Sequence, residues 1–395
     1  MDENALRDEL ADRLKTCGAI ESSHVEHAFR RVSRDRYLDQ WYRYAPSSNG
    51  SLWTLVRFDR THPKEEALRE IYSDQPLVTC LAGSFPSSST SQPSLVARML
   101  ELLDLRPGMR ILEIGTGTGY NAALLSEIIG VQGSIVSIES QEAVARRADK
   151  ALQQEGYANV RVVHADGFAG FDADAPYDRI VATVGCNDIS PHWIEQVAAD
   201  GHLLVPLVHG DETPLVAIHR TDHPDEGEGR VRSRSAFMEA EGLLRSGRLW
   251  SSFLLPGAME NEIWRRPLPV LDTTTSKEEG GRRDGDLKFY LALCTRHLWR
   301  SEVGYGIADP ASRVSLLISE DQVVGYGDDR RVADRLYETL EDYLIRWDSI
   351  GRPRVTDYSM KFLRRERLAA SESREVQWIV CRPNYAQIIW LDREG

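Results

Sequence analysis

A glycine-rich turn between an apolar strand and a helix constrains the fold of this chain more than any other feature. Residues 112–120 read LEIGTGTGY, and apolar stretches lie on both sides. A strand, a glycine turn and a helix in this order place backbone N–H groups at the carboxyl edge of a parallel sheet. The segment therefore predicts a doubly wound, Rossmann-like α/β domain.

Apolar segments around this turn alternate in the way that a buried parallel sheet requires. They are nearly continuously hydrophobic, which is typical of strands covered on both faces. The predicted strands are 110–114, 134–139, 160–164, 179–184 and 202–207, and the predicted helices are 121–129 and 141–155.

The residues before this alternation are more varied. Residues 1–45 are predicted to be helical, and residues 51–76 to be an irregular, partly helical insert. Residues 84–91 are rich in Ser, Thr, Phe and Pro, which predicts a loop. Ser91 is placed to cap the helix that follows this loop.

Beyond about residue 220 the alternation stops, and a smaller α+β unit is predicted. Residues 221–234 and 273–286 have loop composition, and 235–242 could return one more strand to the sheet. An amphipathic helix covers 332–347, because apolar residues recur there on one face. The predicted strands of this unit are 287–294, 314–318, 322–326, 376–381 and 386–391.

The spacing of the glycines indicates which cofactor the turn serves. A carboxylate about 20 residues further on, here Glu139, can accept both hydroxyls of a ribose. A dinucleotide loop needs a third glycine where this chain has Tyr120, whereas Glu113 leads into the turn as an acid. An acid there suits a ligand with a cationic amino group and no pyrophosphate, which describes S-adenosyl-L-methionine.

Asp166 and Gly167 follow the next predicted strand. In a nucleotide site Asp166 would accept a hydrogen bond from the adenine amino group. An Asp-Gly pair is also a common turn, so both interpretations of these residues stay open.

The segment after the fourth strand constrains the methyl acceptor. Residues 181–186 read VATVGC and lack the polar-Pro-Pro-aromatic run of common amino-methylating enzymes. A carboxylate acceptor is already an anion at neutral pH, and its attack needs alignment and desolvation but no general base. The sequence is therefore consistent with carboxylate methylation.

Composition excludes several classes of protein. The formal net charge is −13, which argues against binding of a nucleic-acid backbone. No apolar run approaches the roughly 18 residues of a membrane span, and the first residues lack a signal-peptide pattern. The five cysteines are scattered without a CxxC pair, which fits reduced thiols in the cytoplasm and gives no metal site.

Residues 72–242 resemble protein-L-isoaspartate O-methyltransferases. The matching stretches are 90–93 (TSQP), 96–99, 112–120, 166–170, 175–178 and 201–206. The resemblance implies transfer of a methyl group from S-adenosyl-L-methionine to an Asp or isoaspartyl carboxylate of a peptide or protein. It implies Ser91, with Thr90 beside it, as catalytic residues. The residues it implies as cofactor contacts are Glu113, Gly115, Thr116, Gly117, Gly119, Glu139, Ser140, Asp166 and Gly167.

Length separates this chain from compact repair enzymes of that family. About 150 residues follow the catalytic region, and the stretch between Leu77 and Ser91 is longer than in those enzymes. This layout resembles the long actinobacterial branch associated with lanthipeptides and graspetides. The leading hypothesis is therefore methylation of an Asp in a macrocyclised precursor peptide, whose ester then closes to an aspartimide.

Three alternatives stay open: repair of isoaspartyl proteins, a binding protein that keeps the fold without turnover, and a small-molecule O-methyltransferase.

The predicted regions are an N-terminal helical region with an insert (1–75), a Rossmann-like methyltransferase domain (76–242) and a C-terminal α+β extension (243–395). The extension would serve either peptide recognition or packing.

Overall fold

The computed structural model describes residues 3–44, 53–210, 212–223, 225–245, 261–268, 277–295, 297–301, 304–319, 322–370 and 377–392. The helices are α1 Glu3–Thr16, α2 Ser23–Arg31, α3 Glu65–Ile71, α4 Pro93–Leu102, α5 Tyr120–Ile129, α6 Glu142–Gln154, α7 Pro191–Gln196, α8 Lys277–Cys294 and α9 Arg330–Ser349. In these described ranges no helix combines the length and the apolarity needed to cross a membrane.

The strands form three sheets. They are β1 Gln40–Tyr44, β2 Trp53–Arg57, β3 Leu77–Ala82, β4 Phe85–Thr90, β5 Arg110–Ile114, β6 Ser134–Glu139, β7 Val160–His164, β8 Tyr177–Ala182, β9 Val197–Pro206, β10 Thr213–Arg220, β11 Gly227–Ser235, β12 Glu262–Pro267, β13 Leu298–Ser301, β14 Gly304–Asp309, β15 Val314–Ile318, β16 Gln322–Tyr326, β17 Tyr358–Arg364, β18 Gln377–Cys381 and β19 Tyr385–Leu391.

The large sheet confirms the predicted α/β, Rossmann-like fold. Its order is β18-β19-β17-β11-β10-β9-β8-β5-β6-β7, and β7, β6, β5, β8 and β9 run parallel. The parallel strands read as continuous apolar runs because both faces of this half are covered, and residues such as Leu112 and Ile180 are fully buried. The glycine turn follows β5, at the carboxyl edge of the sheet.

The C-terminal region continues the same sheet. Strand β17 pairs with β11, and β19 and β18 follow it, all antiparallel. A second sheet, ordered β12-β16-β15-β14-β13, packs against α9. One buried apolar cluster contains Leu112 and Trp193 of the catalytic region together with Phe289 and Trp378 of the C-terminal region. The described part of the C-terminal region therefore shares a core with the catalytic sheet.

The N-terminal helices cover the opposite side of the catalytic region. Helices α1, α2, α4 and α5 contribute to a second apolar cluster, in which Phe29 and Tyr120 meet edge to face. A four-stranded sheet, ordered β2-β1-β3-β4, stands beside them. This arrangement brings β4 and the start of α4 close to the glycine turn.

Two predictions of loop were wrong because backbone pairing, not apolar content, makes these strands. Residues 85–90 form β4, which pairs with β3 in a hairpin. Residues 227–235 form β11, held between β10 and β17. The predicted strand at 235–242 is likewise wrong beyond Ser235, because only an isolated bridge joins Glu239 to Gly185.

The prediction of a strand at 287–294 was also wrong. These residues belong to helix α8, as do residues 277–286, which were predicted as loop. Leu287, Tyr290 and Leu291 are buried at helical spacing. A short apolar run does not distinguish a strand from a buried helix, and the spacing of these three residues favours the helix.

Candidate active site

A cleft of about 910 Å³ opens at the carboxyl edge of the parallel strands. Four segments form most of its lining: the end of β4 with the start of α4, the glycine turn, the residues after β6, and the chain from 234 to 244. Ligands of doubly wound sheets bind at this edge, beside the first βα turn. The volume lies in the range of small-molecule sites.

Two glycines of the turn have positive φ and lie close to other segments of the chain. Gly115 has φ +100°, and a Cβ there would lie 2.7 Å from Thr183 Oγ1. Gly117 has φ +54°, and a Cβ would lie 3.2 Å from the carbonyl oxygen of Ser89 on β4. The turn thus closely approaches both the end of β8 and strand β4.

Glu139 ends β6 and lines the cleft. Its Oε2 accepts a hydrogen bond of 2.9 Å from the Gly117 N–H, and its Oε1 accepts one of 3.1 Å from the Gln141 N–H. Burial raises the pKa of this carboxyl, and the two N–H donors oppose that rise. A carboxylate at this position can accept the hydroxyls of a ribose, as the sequence predicts.

Glu113 lies behind the cleft rather than in its wall. Its carboxylate is completely buried and accepts hydrogen bonds from Asn121 Nδ2 at 2.7 Å and from the Ser137 hydroxyl. Burial raises its pKa to about 7. The Ser137 hydroxyl lies 2.7 Å from Thr116 Oγ1, so Glu113 holds side chains that support the cleft wall.

Asp166 serves as a turn residue. One carboxylate oxygen accepts from the Phe168 N–H at 2.9 Å, and the other accepts from the Leu243 N–H at 3.2 Å. Asp166 does not line the cleft, whereas Gly167 does. A Cβ on Gly167 would lie 2.5 Å from Ile114 Cγ2, so the close approach requires glycine.

Hydrogen bonds join three segments of the chain at the Glu139 end of the cleft. The Ser140 hydroxyl donates to Glu241 Oε2 at 2.8 Å. Gln141 Nε2 donates to the Ser87 carbonyl at 2.7 Å and to Glu241 Oε1 at 3.3 Å. We call Ser87, Ser140, Gln141 and Glu241 the bridge. Of these four residues, only Ser140 was predicted from the sequence.

Ser91 and Thr90 lie where β4 leads into α4, and both line the cleft. The Ser91 hydroxyl has no hydrogen bond to any described residue, so the prediction that it caps the helix was wrong. Gln92 occupies the N-cap position, but its side chain accepts no capping hydrogen bond. The Ser94 N–H instead donates to Asp74 Oδ1 at 2.8 Å. The Ser91 hydroxyl is thus left for a ligand.

Arg34 fixes the backbone at Ser91. Its guanidinium is fully buried and donates to the carbonyl of Ser91 at 2.9 Å and to that of Gln75 at 3.0 Å. It also donates to the carbonyls of Ile71 and Ser73. Burial lowers its pKa to about 10, so the group stays cationic at neutral pH. Arg34 was not among the residues predicted for the site.

The structure brings most of the predicted residues together. Those that line the cleft are Thr90, Ser91, Gly115, Thr116, Gly117, Glu139, Ser140 and Gly167, and those that lie outside its wall are Glu113, Gly119 and Asp166. Gly119 is the N-cap of α5 with φ +88° and faces Leu152 instead. Contact of each of these residues with a cofactor stays a prediction.

Comparison with known proteins gives the family. A sequence model described as "Protein-L-isoaspartate(D-aspartate) O-methyltransferase (PCMT)" matches residues 52–238. The protein-L-isoaspartate O-methyltransferase of Methanothermobacter thermautotrophicus is 35% identical over 210 residues, which are 53% of this chain and 82% of that protein. The chain belongs to the protein-L-isoaspartate O-methyltransferase family. It is therefore an S-adenosyl-L-methionine-dependent protein carboxyl O-methyltransferase.

Other members of the family show the same match. Protein-L-isoaspartate O-methyltransferase 2 of Archaeoglobus fulgidus is 34% identical over 235 residues, or 60% of this chain and 90% of that protein. A solved structure of a protein named protein-L-isoaspartate O-methyltransferase superposes with a TM-score of 0.54 at 24% identity. It covers 97% of this chain and 98% of its own, so the similarity in fold includes the C-terminal region.

Proposed function

We propose that this enzyme methylates the isoaspartyl carboxylate of damaged proteins or peptides. The observation that carries the proposal is the position of Ser91. Its hydroxyl lines the cleft without a described partner, and Arg34 anchors its carbonyl at 2.9 Å. A fixed hydroxyl at this point can donate a hydrogen bond to one oxygen of a carboxylate and orient the other toward a methyl donor.

The residues of the cleft fit S-adenosyl-L-methionine. Gly117 lies close to the Ser89 carbonyl oxygen, which a Cβ would approach to 3.2 Å, and Glu139 lines the same cleft. Glu139 would hold the ribose hydroxyls, and Gly115 and Gly117 would allow close approach to the turn. When bound, S-adenosyl-L-methionine supplies an electrophilic methyl group on a sulfonium sulfur.

The reaction requires little proton transfer by the protein. A carboxylate oxygen forms the new C–O bond while the C–S bond breaks, and the sulfonium charge is lost as the sulfur becomes a thioether. The acceptor is already ionised at neutral pH, so no base is required. Ser91 and Thr90 are expected to orient the acceptor carboxylate. The resulting ester can then lose methanol as the next amide nitrogen closes a succinimide ring.

The aspartimide hypothesis for a macrocyclised precursor peptide rested mainly on chain length. Length does not support it, because the structure of a protein named protein-L-isoaspartate O-methyltransferase has the same fold over 97% of this chain. The long stretch before Ser91 is folded as the β3–β4 hairpin. The hypothesis therefore stays as the opposing outcome of a peptide experiment.

The test uses one peptide sequence in three forms: linear with isoaspartate, linear with aspartate, and side-chain cyclised with aspartate. Each is incubated with the enzyme and S-adenosyl-L-methionine and followed by mass spectrometry. We expect a methyl ester, then a succinimide, from the isoaspartyl form. Turnover of the cyclised aspartyl form alone would replace repair by peptide maturation.

A variant separates catalysis from binding. Ser91→Ala should lose peptide turnover while it keeps the affinity for S-adenosylhomocysteine, measured by calorimetry, because Ser91 lies on the acceptor side of the cleft. If the wild-type enzyme bound neither S-adenosylhomocysteine nor any peptide, the chain would be a protein that keeps the fold without turnover. We propose that the enzyme acts in the cytoplasm, where its five cysteines would stay reduced.

A further inference from the structure

Charged side chains of both signs line the cleft. The carboxylates of Glu139 and Glu241 are among them, and Arg234, which also lines the cleft, forms an ion pair with Asp286. Arg98 lines the cleft from α4, which begins directly after Ser91 and Gln92. The acceptor end of the cleft therefore carries a positive group.

Arg98 is exposed, and it forms no hydrogen bond or ion pair with the residues that the structure describes. The nearest acid on its own helix, Glu101, is occupied by donors from the turn before α2: the Ser22 N–H at 2.9 Å and the Ser22 hydroxyl at 3.0 Å. Asp74, which also lines this end, accepts from Ser94 and Gln92. Neither acid neutralises Arg98.

The beginning of α4 offers little to an anion by itself. Pro93 has no N–H, and the N–H of Ser94 donates to Asp74. The N–H groups of Leu95 and Val96 both donate to the Gln92 carbonyl. No N–H group of residues 93–96 is therefore available to a negatively charged group beside Ser91, and Arg98 is the positively charged side chain on this helix that lines the cleft.

We propose that Arg98 selects peptides with an acidic residue a short distance from the acceptor; this rests on the proposed function. Ser91 and Arg98 are separated by about 10 Å along the helix, at 1.5 Å per residue. An extended peptide covers that distance in about three residues, at 3.3 Å each. An acceptor at Ser91 thus places the side chain about three residues away within reach of the guanidinium, which binds carboxylates bidentately.

The test compares isoaspartyl peptides that differ at one position. One has Glu three residues before the acceptor, one has Glu three residues after it, and matched peptides have Gln at each place. We measure KM, and also the Kd of each peptide in the presence of S-adenosylhomocysteine, so that binding is read without turnover. With Glu either before or after the acceptor, but not in both positions, the wild type should bind the Glu peptide about fivefold more tightly than the matched Gln peptide at low salt. This preference should shrink at high salt.

Two variants assign the preference. Arg98→Gln should reduce binding of the Glu peptide to that of the Gln peptide, whereas Arg98→Lys should keep part of the preference. Arg31→Gln is the matched control, because Arg31 is exposed, lies outside the cleft lining and forms no hydrogen bond or ion pair within the described ranges. It should keep the wild-type preference.

The outcomes separate this inference from the proposed function. Equal binding of Glu and Gln peptides by the wild type, or a preference that persists in Arg98→Gln, would overturn the role of Arg98. Methylation of no isoaspartyl peptide would overturn the proposed function, while the Kd values would still report on Arg98.

Discussion

The buried carboxyl of Glu113 makes a quantitative prediction about stability. Burial raises its pKa from an ordinary value of 4.5 to about 7. Between these values the folded state holds a proton that the unfolded chain releases, so the free energy of unfolding falls as pH rises. At 1.36 kcal/mol per pKa unit, the full loss is about 3 kcal/mol, and somewhat less than half of it falls between about pH 6 and pH 8.

Glu113→Gln removes the ionisation and keeps an oxygen that can accept from Ser137. The expected result is that the variant lacks this loss, so its free energy of unfolding gains about 1 kcal/mol relative to the wild type between about pH 6 and pH 8. Urea unfolding of both proteins at several pH values measures the difference. The comparison cancels the opposite contribution of buried histidines such as His202, whose pKa burial lowers to about 4.

A constant difference between the two proteins across this pH range would refute the reasoning. It would mean that Glu113 has the same pKa in the folded and unfolded states, despite a carboxylate that is 0% exposed. Glu113→Ala is a less suitable variant, because it also leaves Ser137 and Asn121 without their acceptor.

Three further predictions concern the turn, the bridge and the C-terminal region. Gly115→Ala should destabilise the fold by about 2 kcal/mol or more and weaken S-adenosylhomocysteine binding, because its Cβ would lie 2.7 Å from Thr183 Oγ1. The control is Gly156→Ala, since Gly156 also has positive φ but a Cβ there would have nothing within 4 Å. This variant should lower the melting temperature less and leave binding unchanged. Gln141→Ala should raise the calorimetric Kd of S-adenosylhomocysteine about threefold to tenfold through loss of the bridge, and an unchanged Kd would exclude that role. Asp188→Ala should lower the free energy of unfolding in urea by about 3 kcal/mol, because its buried Oδ2 accepts from the Asn384 N–H at 2.7 Å. A change below about 0.5 kcal/mol would show that this contact does not stabilise the turn between β18 and β19.

The parallel half of the sheet could be predicted closely from the sequence. Strands 110–114, 134–139 and 160–164 have the predicted bounds. The first two lie inside the sheet and are buried along most of their length, which requires apolar residues, whereas β7 is the edge strand and exposes Arg161 and His164. The glycine turn could be predicted equally well, since positive φ and close approach at Gly115 and Gly117 favour glycine.

The antiparallel half and the supports of the site could not be predicted in this way. Strand β4 has the composition of a loop, and it is a strand because β3 pairs with it. Arg34 donates to the carbonyl of Ser91 from 57 positions away in the chain, and Leu243 reaches Asp166 across 77. Such contacts depend on how distant segments pack, and local pattern carries no information about them. Arg34 stands in an RDRYL stretch beside an apolar helix, which was the only local sign of its role.

The C-terminal region illustrates the same limit. Its composition predicts a small α+β unit, but not that β17 hydrogen-bonds to β11 or that Phe289 and Trp378 lie in the same core as the catalytic sheet. A sequence pattern shows that a residue will be buried but not against which partner. The packing explains why the extension can be long without implying a new reaction.

The central claim is that the cleft at Ser91 and Glu139 esterifies an isoaspartyl carboxylate. The most direct measurement is kcat/KM for two isomers of one linear peptide, isoaspartyl and aspartyl, at saturating S-adenosyl-L-methionine. We predict methyl transfer to the isoaspartyl isomer and a kcat/KM at least about 100-fold lower for the aspartyl isomer, the size expected when a site is built around the position of one polar group. Equal values for the two isomers, or a higher value for the aspartyl isomer, would contradict this account.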